Sequence, residues 1–379
     1  MDPLRNKLPV VGALPFGMER MDEATAARYG LVPSQRAQAQ GLVDRFGRAH
    51  TSLRISVTER CNLRCSYCMP EEGVPLHPKA EVLSFEEIER LAALFVRLGI
   101  TRIRLTGGEP LVRKDFPQLA LRLGALRAQG LARLQLTTNA LLLEDQLPLL
   151  REAGFDGVNI SLDTLRPERF RAITRRDGCA ETIAAIRAAA RVFQTVKVNA
   201  VALQGTNQDE LCDLARLVAG ELGLEMRYIE YMPFDGNHWS DSQLLPAAAI
   251  RAELEREFEL LPLADDGTGS GTAALHGLRD RATGARLRGR VGIISSMTEP
   301  FCSSCSRLRL TADGMFRWCL LDEAELDLKA PLRAGASDAA LMELIESGLS
   351  RKRAGHAPAE ELLRAQSAGH ARSMVRIGG

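Results

Sequence analysis

Nowhere in the 379 residues does an apolar run approach the ~18 residues that a membrane-spanning helix needs. Charge of one sign is lacking as well. With 49 Lys and Arg against 48 Asp and Glu, the net charge is +1, which speaks against a nucleic-acid-binding or membrane-surface protein. The first forty residues mix Pro, Gly, Arg and Glu without an apolar h-region, so no secretory signal is expected there. No G-x-G-x-x-G follows the first strand pattern, and the dinucleotide-binding reading loses its usual support. What the chain has is ordinary globular material, 45% hydrophobic and 26% charged, enough for a large core. Its eight cysteines fall in two groups of three plus Cys179 and Cys212. That grouping does not resemble a disulfide framework in a chain of this size, and reduced thiols place the expected compartment in the cytoplasm.

Strand and helix patterns alternate along the middle of the chain. Strands are expected at 53–58, 101–106, 132–138, 157–162, 195–201 and 224–230, with amphipathic stretches at 85–98, 116–126, 182–193 and 208–222 between them. Six βα units in a row argue for a parallel sheet, either a barrel or doubly wound. Polar residues recur at every second strand position: Arg54, Ser56 and Thr58; Arg102, Arg104 and Thr106; Gln135, Thr137 and Asn139; Asn159, Ser161 and Asp163; Lys197 and Asn199. A period of two places each set on one face. Branched apolar side chains would fill a packed barrel, so this face implies a lumen for a large polar ligand. After a Gly-, Asp- and Thr-rich stretch at 263–277, a strand is expected at 290–295. A hairpin turning at Asp313-Gly314 and two helices near 337–348 and 358–367 follow.

Cys61, Cys65 and Cys68 form a C-x3-C-x2-C run directly after the first strand pattern. Thiolates suit iron–sulfur clusters, zinc or copper. Three of them can hold three irons of a [4Fe–4S] cube and leave the fourth iron open to a small molecule. A structural zinc site wants a fourth ligand close by, and the nearest, His77, lies beyond Pro70 and Pro75. Cys302, Cys305 and Cys319 repeat the situation as C-x2-C-x13-C with no second pair after them; the tail offers only His356 and His370. A second open-iron cluster is therefore expected there. Cys179 and Cys212 read as packed core thiols. Gly107-Gly108-Glu109-Pro110 ends the second strand, where two glycines let backbone approach a ligand closely.

The cysteine run and GGEP resemble the cluster loop and the methionine-binding segment of radical S-adenosylmethionine (SAM) enzymes. TERCNLRCSYCMPEEG, RLTGGEPLVRKD, NISLDTL, EMRYIEYMPFDGN, FCSSCSRLRLTADG and the terminal RIGG together resemble the GTP 3′,8-cyclase family of molybdenum-cofactor biosynthesis, from about residue 41 to the end. The resemblance implies an incomplete (β/α)6 barrel closed by a C-terminal α+β region that carries a second cluster. Its expected division is an N-terminal extension of unassigned function (1–44), a radical SAM core (45–268) and an auxiliary-cluster and substrate-binding region (269–379). It further implies SAM contacts at Tyr67, Gly108, Ser161 and Met232. GTP contacts are implied at Arg54, Arg104, Thr137, Lys197 and Arg227, with Arg307 and Arg309 on the triphosphate. The tail residues Gly378 and Gly379 are expected to reach the substrate. By the same resemblance, the cofactors are two [4Fe–4S] clusters and SAM, and no side chain serves as acid or base. The implied partners are GTP, a flavodoxin- or ferredoxin-type electron donor, the downstream cyclic pyranopterin monophosphate synthase and a second copy of the chain in a homodimer. Two rivals carry different expectations: a radical SAM peptide maturase, with more C-terminal cysteines, and a zinc-bound interaction protein, with no iron or sulfide.

Overall fold

The structure, a computed structural model, describes residues 41–264, 272–367 and 372–378. Residues 1–40 and Gly379, for which an extension and a tail role are expected, lie outside the described residues.

Six parallel strands run in chain order: β1 Ser52–Ser56, β2 Arg102–Thr106, β3 Arg133–Thr138, β4 Gly157–Ser161, β5 Thr195–Ala202 and β6 Glu225–Glu230. The C-terminal part adds β7 Phe258–Leu263, β8 Ala274–Asp280, β9 Arg286–Ile294, β10 Arg307–Leu310, β11 Met315–Arg317 and β12 Leu326–Asp327. It contributes to both edges of the six-stranded core. β9 pairs in parallel beside β6, and β10 pairs in parallel beside β1. Antiparallel strands follow outside each, giving one sheet in the order β12-β11-β10-β1-β2-β3-β4-β5-β6-β9-β8-β7. The outermost strands are not paired with each other among the described residues, so this is an incomplete barrel. The hairpin turn falls at Gly314, whose φ of +85° is one that side-chain-bearing residues rarely adopt.

Local sequence explains most of the helices. Phe85–Arg97 starts with a capping box: the Ser84 side chain accepts from the Glu87 backbone N–H, and the Glu87 carboxylate accepts from that of Ser84. Its Ile88, Leu91, Ala92 and Phe95, spaced three and four apart, are buried against the sheet. The stretch 208–222 departs from the expected single helix. It divides into a tight turn at Gln208–Glu210, a short α-helix at Leu211–Ala215 and a π-helical segment at Arg216–Glu221. Gly220, a poor α-former, lies in that last segment.

The sheet sorts its residues as a period of two requires. Leu53, Ile55, Ile103, Leu105, Leu134, Leu136, Val158, Ile160, Val196 and Val198 belong to the buried apolar core. The polar face is arranged in rows by strand register. Arg309, Arg54 and Arg104 sit side by side on β10, β1 and β2, followed by Gln135 on β3. Asn159, Lys197, Glu225 and Arg290 form a second row across β4, β5, β6 and β9.

The second row has its own counter-charge. Glu225 is buried and lies 3.5 Å from Lys197 Nζ and 2.7 Å from an Arg290 nitrogen, and it also pairs with Arg227. Burial works against its ionisation, but Arg227 and Lys197 outweigh that and hold the carboxyl below its ordinary range. The Lys197 ammonium is pushed down to about 8, by burial first and then by Arg227. Replacing Glu225 by Ala would leave three cations without this partner. We expect Glu225→Ala to lower the unfolding free energy in urea titrations by about 3–5 kcal/mol. Unchanged stability would mean that another group balances the row.

Candidate active site

The first cysteine run lies at the carboxyl end of β1, strapped down by backbone. Arg64 N–H donates to Thr174 O and Ser66 N–H to Ile173 O, both at 2.9 Å, and the Arg175 guanidinium donates to Arg64 O at 2.9 Å. Within the loop, Cys65 O accepts from Cys68 N–H at 2.9 Å and from Met69 N–H at 3.1 Å, which brings the run into a tight turn. GGEP packs directly behind it: Gly108 N–H donates to Thr58 O at 2.7 Å and Glu109 N–H to Arg60 O at 2.8 Å. A Cβ at Gly108 would stand 2.4 Å from Arg60 O, so this close approach needs glycine. The Glu109 carboxylate accepts from Leu111 N–H, Thr138 Oγ1 and Asn139 N–H at 2.7–3.0 Å, tying the turn to the end of β3. Burial nevertheless pushes its carboxyl up to about 7.

Tyr67 donates its hydroxyl to Asp163 Oδ2 at 2.8 Å. Asn237 donates to Tyr67 O at 3.1 Å and to Met232 O at 2.9 Å, joining the cysteine loop to the segment after β6. Asp163 was one of the alternating polar residues; its role as the Tyr67 anchor was not visible from spacing. His77, the nearest nitrogen ligand in sequence, lies 2.7 Å from Glu59 Oε1 instead.

Cys302 and Cys305 occupy a short turn just before β10, and Cys319 follows β11. The sheet order brings this second set to the first. Cys61, Cys65, Cys68, Cys302, Cys305 and Cys319 all line one cavity of about 260 Å³, together with Tyr67, Gly108, Ser161 and Met232. All six are free thiols. Cys179 and Cys212 instead pack with the apolar core. Burial pushes Cys61 up to about 11 and Cys68 up to about 12, and raises Cys65 well above an ordinary thiol. The positive charge of iron held there would reverse that preference. Cys305 already behaves differently: burial raises it, but Arg307 and Lys352 outweigh burial and bring it down to about 7. Among the described residues no three Cys, His, Asp or Glu side chains converge on a single-ion site. Three separated thiols at one wall fit a multi-iron cube, which spreads its ligands over different metal atoms.

Arg54, Arg104, Thr137, Arg227, Arg307 and Arg309 line the same cavity. Lys197 does not: it is buried beside Glu225, 2% exposed, and is linked to the wall residue Arg227 only through their shared partner Glu225. Arg104 donates to Gln135 Oε1 at 2.7 Å. Arg54 has no carboxylate partner among the described residues; burial, then Arg309, Arg307 and Arg104, hold its guanidinium well below the ordinary range. Arg307 lies 4.8 Å from the Phe301 ring centroid. The tail enters from the far end of the sequence. Arg372 fixes it to Asp313 at 3.0 Å and Glu325 at 2.6 Å, and Gly378 O accepts from Arg309. A Cβ on Gly378 would fall 2.7 Å from both Ser56 Cβ and Thr106 Oγ1 on the inner ends of β1 and β2.

Comparison with known proteins agrees with this arrangement. The Radical SAM superfamily profile matches residues 55–218, and the Molybdenum Cofactor Synthesis C profile matches residues 224–358. The mitochondrial GTP 3′,8-cyclase of Arabidopsis thaliana is 45% identical over 339 residues, covering 89% of this chain and 83% of that protein. GTP 3′,8-cyclase of Rhodopirellula baltica is 42% identical over 337 residues, covering 88% of this chain and 91% of that one. Molybdenum cofactor biosynthesis protein 1 of Mus musculus is 45% identical over 320 residues; the match covers 83% of this chain but 48% of that protein, about half its length. Among solved structures, Streptococcus suis SuiB bound to S-adenosylmethionine superposes with a TM-score of 0.55 at 15% identity, over 86% of this chain and 77% of that one, a likeness of fold alone. No helix among the described residues is long and apolar enough to cross a membrane. With two relatives above 40% identity, matched over 83% and 91% of their own length, and a radical SAM profile over residues 55–218, this chain belongs to the GTP 3′,8-cyclase family of radical SAM proteins.

Proposed function

We propose that the cavity binds SAM against the first cysteine set and GTP against the second. In this reading the chain converts GTP to (8S)-3′,8-cyclo-7,8-dihydroguanosine 5′-triphosphate, the first step of molybdenum-cofactor biosynthesis. One observation carries the substrate half of the reading: Arg309, Arg54 and Arg104 are adjacent in register on three neighbouring strands. Like charges side by side in a sheet are destabilising, and burial adds to the cost. A polyanion relieves both, and forked guanidinium donors match phosphate oxygens. A peptide substrate would not call for such a row, so the maturase reading finds no support in it.

Cys61, Cys65 and Cys68 would hold a four-iron cluster that with SAM would supply one-electron chemistry, and Cys302, Cys305 and Cys319 would hold a second cluster beside the substrate. The chain's own residues position and enclose. Tyr67, Gly108, Ser161 and Met232 hold SAM beside the first set. Arg307 and Arg309 take the triphosphate, and Arg54, Arg104, Thr137 and Arg227 make further contacts to GTP. Lys197 acts at one remove, setting Arg227 through Glu225. Gly378 and Gly379 bring backbone polar groups to the substrate where side chains would not fit, as the close contacts of Gly378 support. Holding both reactants in one cavity converts an encounter into a fixed geometry. The same reading supplies electrons from a flavodoxin- or ferredoxin-type donor in the cytoplasm, passes the product to the downstream synthase, and allows the chain to work as a homodimer.

Anaerobic incubation of reconstituted protein with SAM, GTP and reductant, followed by mass analysis, should give a cyclised nucleotide isomeric with GTP. Release of 5′-deoxyadenosine with no change in GTP would overturn the reading. Arg307→Ala should weaken GTP binding roughly tenfold to a hundredfold, the effect of losing one charge-assisted contact of about 1.5–3 kcal/mol, while SAM binding changes little. Equal affinity of the unaltered protein for guanosine and GTP would contradict this. Gly378→Ala should leave iron content and reductive SAM cleavage intact yet largely abolish the cyclised product. Normal product yield would reduce the tail to a space-filler.

A further inference from the structure

Lys352 is a lysine almost without access to water, 3% exposed, in the turn that follows the helix Asp338–Ser350. Its Nζ lies 2.6 Å from Trp318 O, 3.2 Å from Arg307 O and 3.6 Å from Cys305 Sγ. An ammonium has three N–H donors, and these are three acceptors. The three come from distinct places around the second cysteine set: Cys305 itself, the start of β10, and the residue just before Cys319.

Three facts separate Lys352 from the other cations nearby. It does not line the main cavity, where Arg307 and Arg309 stand, but a second cavity of about 150 Å³ on which Cys302, Cys305 and Cys319 also open. Arg48, which likewise borders that second cavity and donates to Cys302 O at 2.7 Å, is neutralised by Asp44 at 2.6 Å. Lys352 has no carboxylate partner among the described residues. A buried charge without a counter-charge is strongly disfavoured, and among the described residues Cys305 Sγ is the one group within hydrogen-bonding distance of Nζ that can become an anion.

We propose that Lys352 is a positioning residue for the second cluster: its ammonium is the fixed counter-charge of the Cys305 thiolate, keeping that ligand in place and making the cluster easier to reduce. This rests on the second cluster of the functional reading above. Hydrogen bonds and charge at the ligand sulfurs are main determinants of cluster potential, and a cation favours the reduced, more negative form. Lys352 thereby acts from the second cavity, touching Arg307 only at its backbone carbonyl. The position can be altered without removing a side chain that lines the main cavity.

The test uses the full-length chain, reconstituted with iron and sulfide, as unaltered protein, Lys352→Gln and Lys352→Arg. Iron is counted first, and a redox titration followed by electron paramagnetic resonance is then run on each. The titration is repeated in chains whose Cys61, Cys65 and Cys68 are all Ala, so that the signal comes from the second set. Lys352→Gln should shift the second cluster's oxidised-to-reduced ratio at a given potential about tenfold toward oxidised, a midpoint about 59 mV more negative for one electron. Lys352→Arg should restore most of the shift. Loss of second-set iron in Lys352→Gln with retention in Lys352→Arg would also support the proposal, since only the charge distinguishes them in kind. An unchanged midpoint in iron-replete Lys352→Gln overturns it, as does equal loss of iron in both variants, which would make the position one of packing. Absence of iron from the second set in the unaltered chain fails the two-cluster reading itself and is seen at the first step.

Discussion

Packing guanidinium groups next to one another inside a protein is unfavourable twice over, through lost hydration and through mutual repulsion, and much of this molecule is arranged around that constraint. Arg309, Arg54 and Arg104 stand in register on adjacent strands. The protein supplies them with one amide, from Gln135, and one carbonyl, from Gly378, but with no carboxylate among the described residues. One row further along the strands the solution differs: Glu225 gathers Lys197, Arg227 and Arg290. The sheet therefore has a neutralised part, which supports the wall, and an unneutralised part, which attracts an anion. Electrostatic preorganisation of this kind is set by strand register before any ligand arrives.

Strand order determines what this cationic wall faces. The C-terminal region places β10 beside β1 and β9 beside β6. Cysteines 240 residues apart in sequence consequently open on the same cavity as the tail residue Met374. The backbone then limits movement: the cysteine loop is bonded to the 167–174 helix, and Tyr67 is tied to Asp163 and to the segment after β6.

How much of this was legible depended on whether a feature is local. The C-x3-C-x2-C run and the GGEP turn are written within a few residues, and the structure forms them there; the capping box at Ser84 is as local but is recognised only in the structure. The alternation of polar residues brings Arg54, Arg104, Thr106, Thr137, Asn139, Asn159, Ser161, Asp163 and Asn199 to the cavity, because a period of two needs no knowledge of neighbours, while Ser56, Thr58, Arg102, Gln135 and Lys197 of the same pattern do not line it. Register does need it. In LEMRYIE, Glu225 reads as one more polar residue; its function as counter-ion follows only from lying between Lys197 and Arg290 in the sheet. For the same reason Lys197 looked like a lumen cation but is buried behind the wall. Lys352, inside the basic run RKR, has the appearance of a solvated helix end, and nothing near it in sequence marks it as the residue that touches Cys305. The division of 208–222 was also unforeseen, since its apolar spacing suits α and π geometry alike.

If one cavity holds the radical precursor and the nucleotide together, as proposed, hydrogen passes directly between them. GTP carrying deuterium only at C3′ tests this most directly, with anaerobic turnover followed by mass analysis of the 5′-deoxyadenosine released. The account predicts 5′-deoxyadenosine bearing one deuterium in step with the cyclised product. Product formed with unlabelled 5′-deoxyadenosine would contradict it.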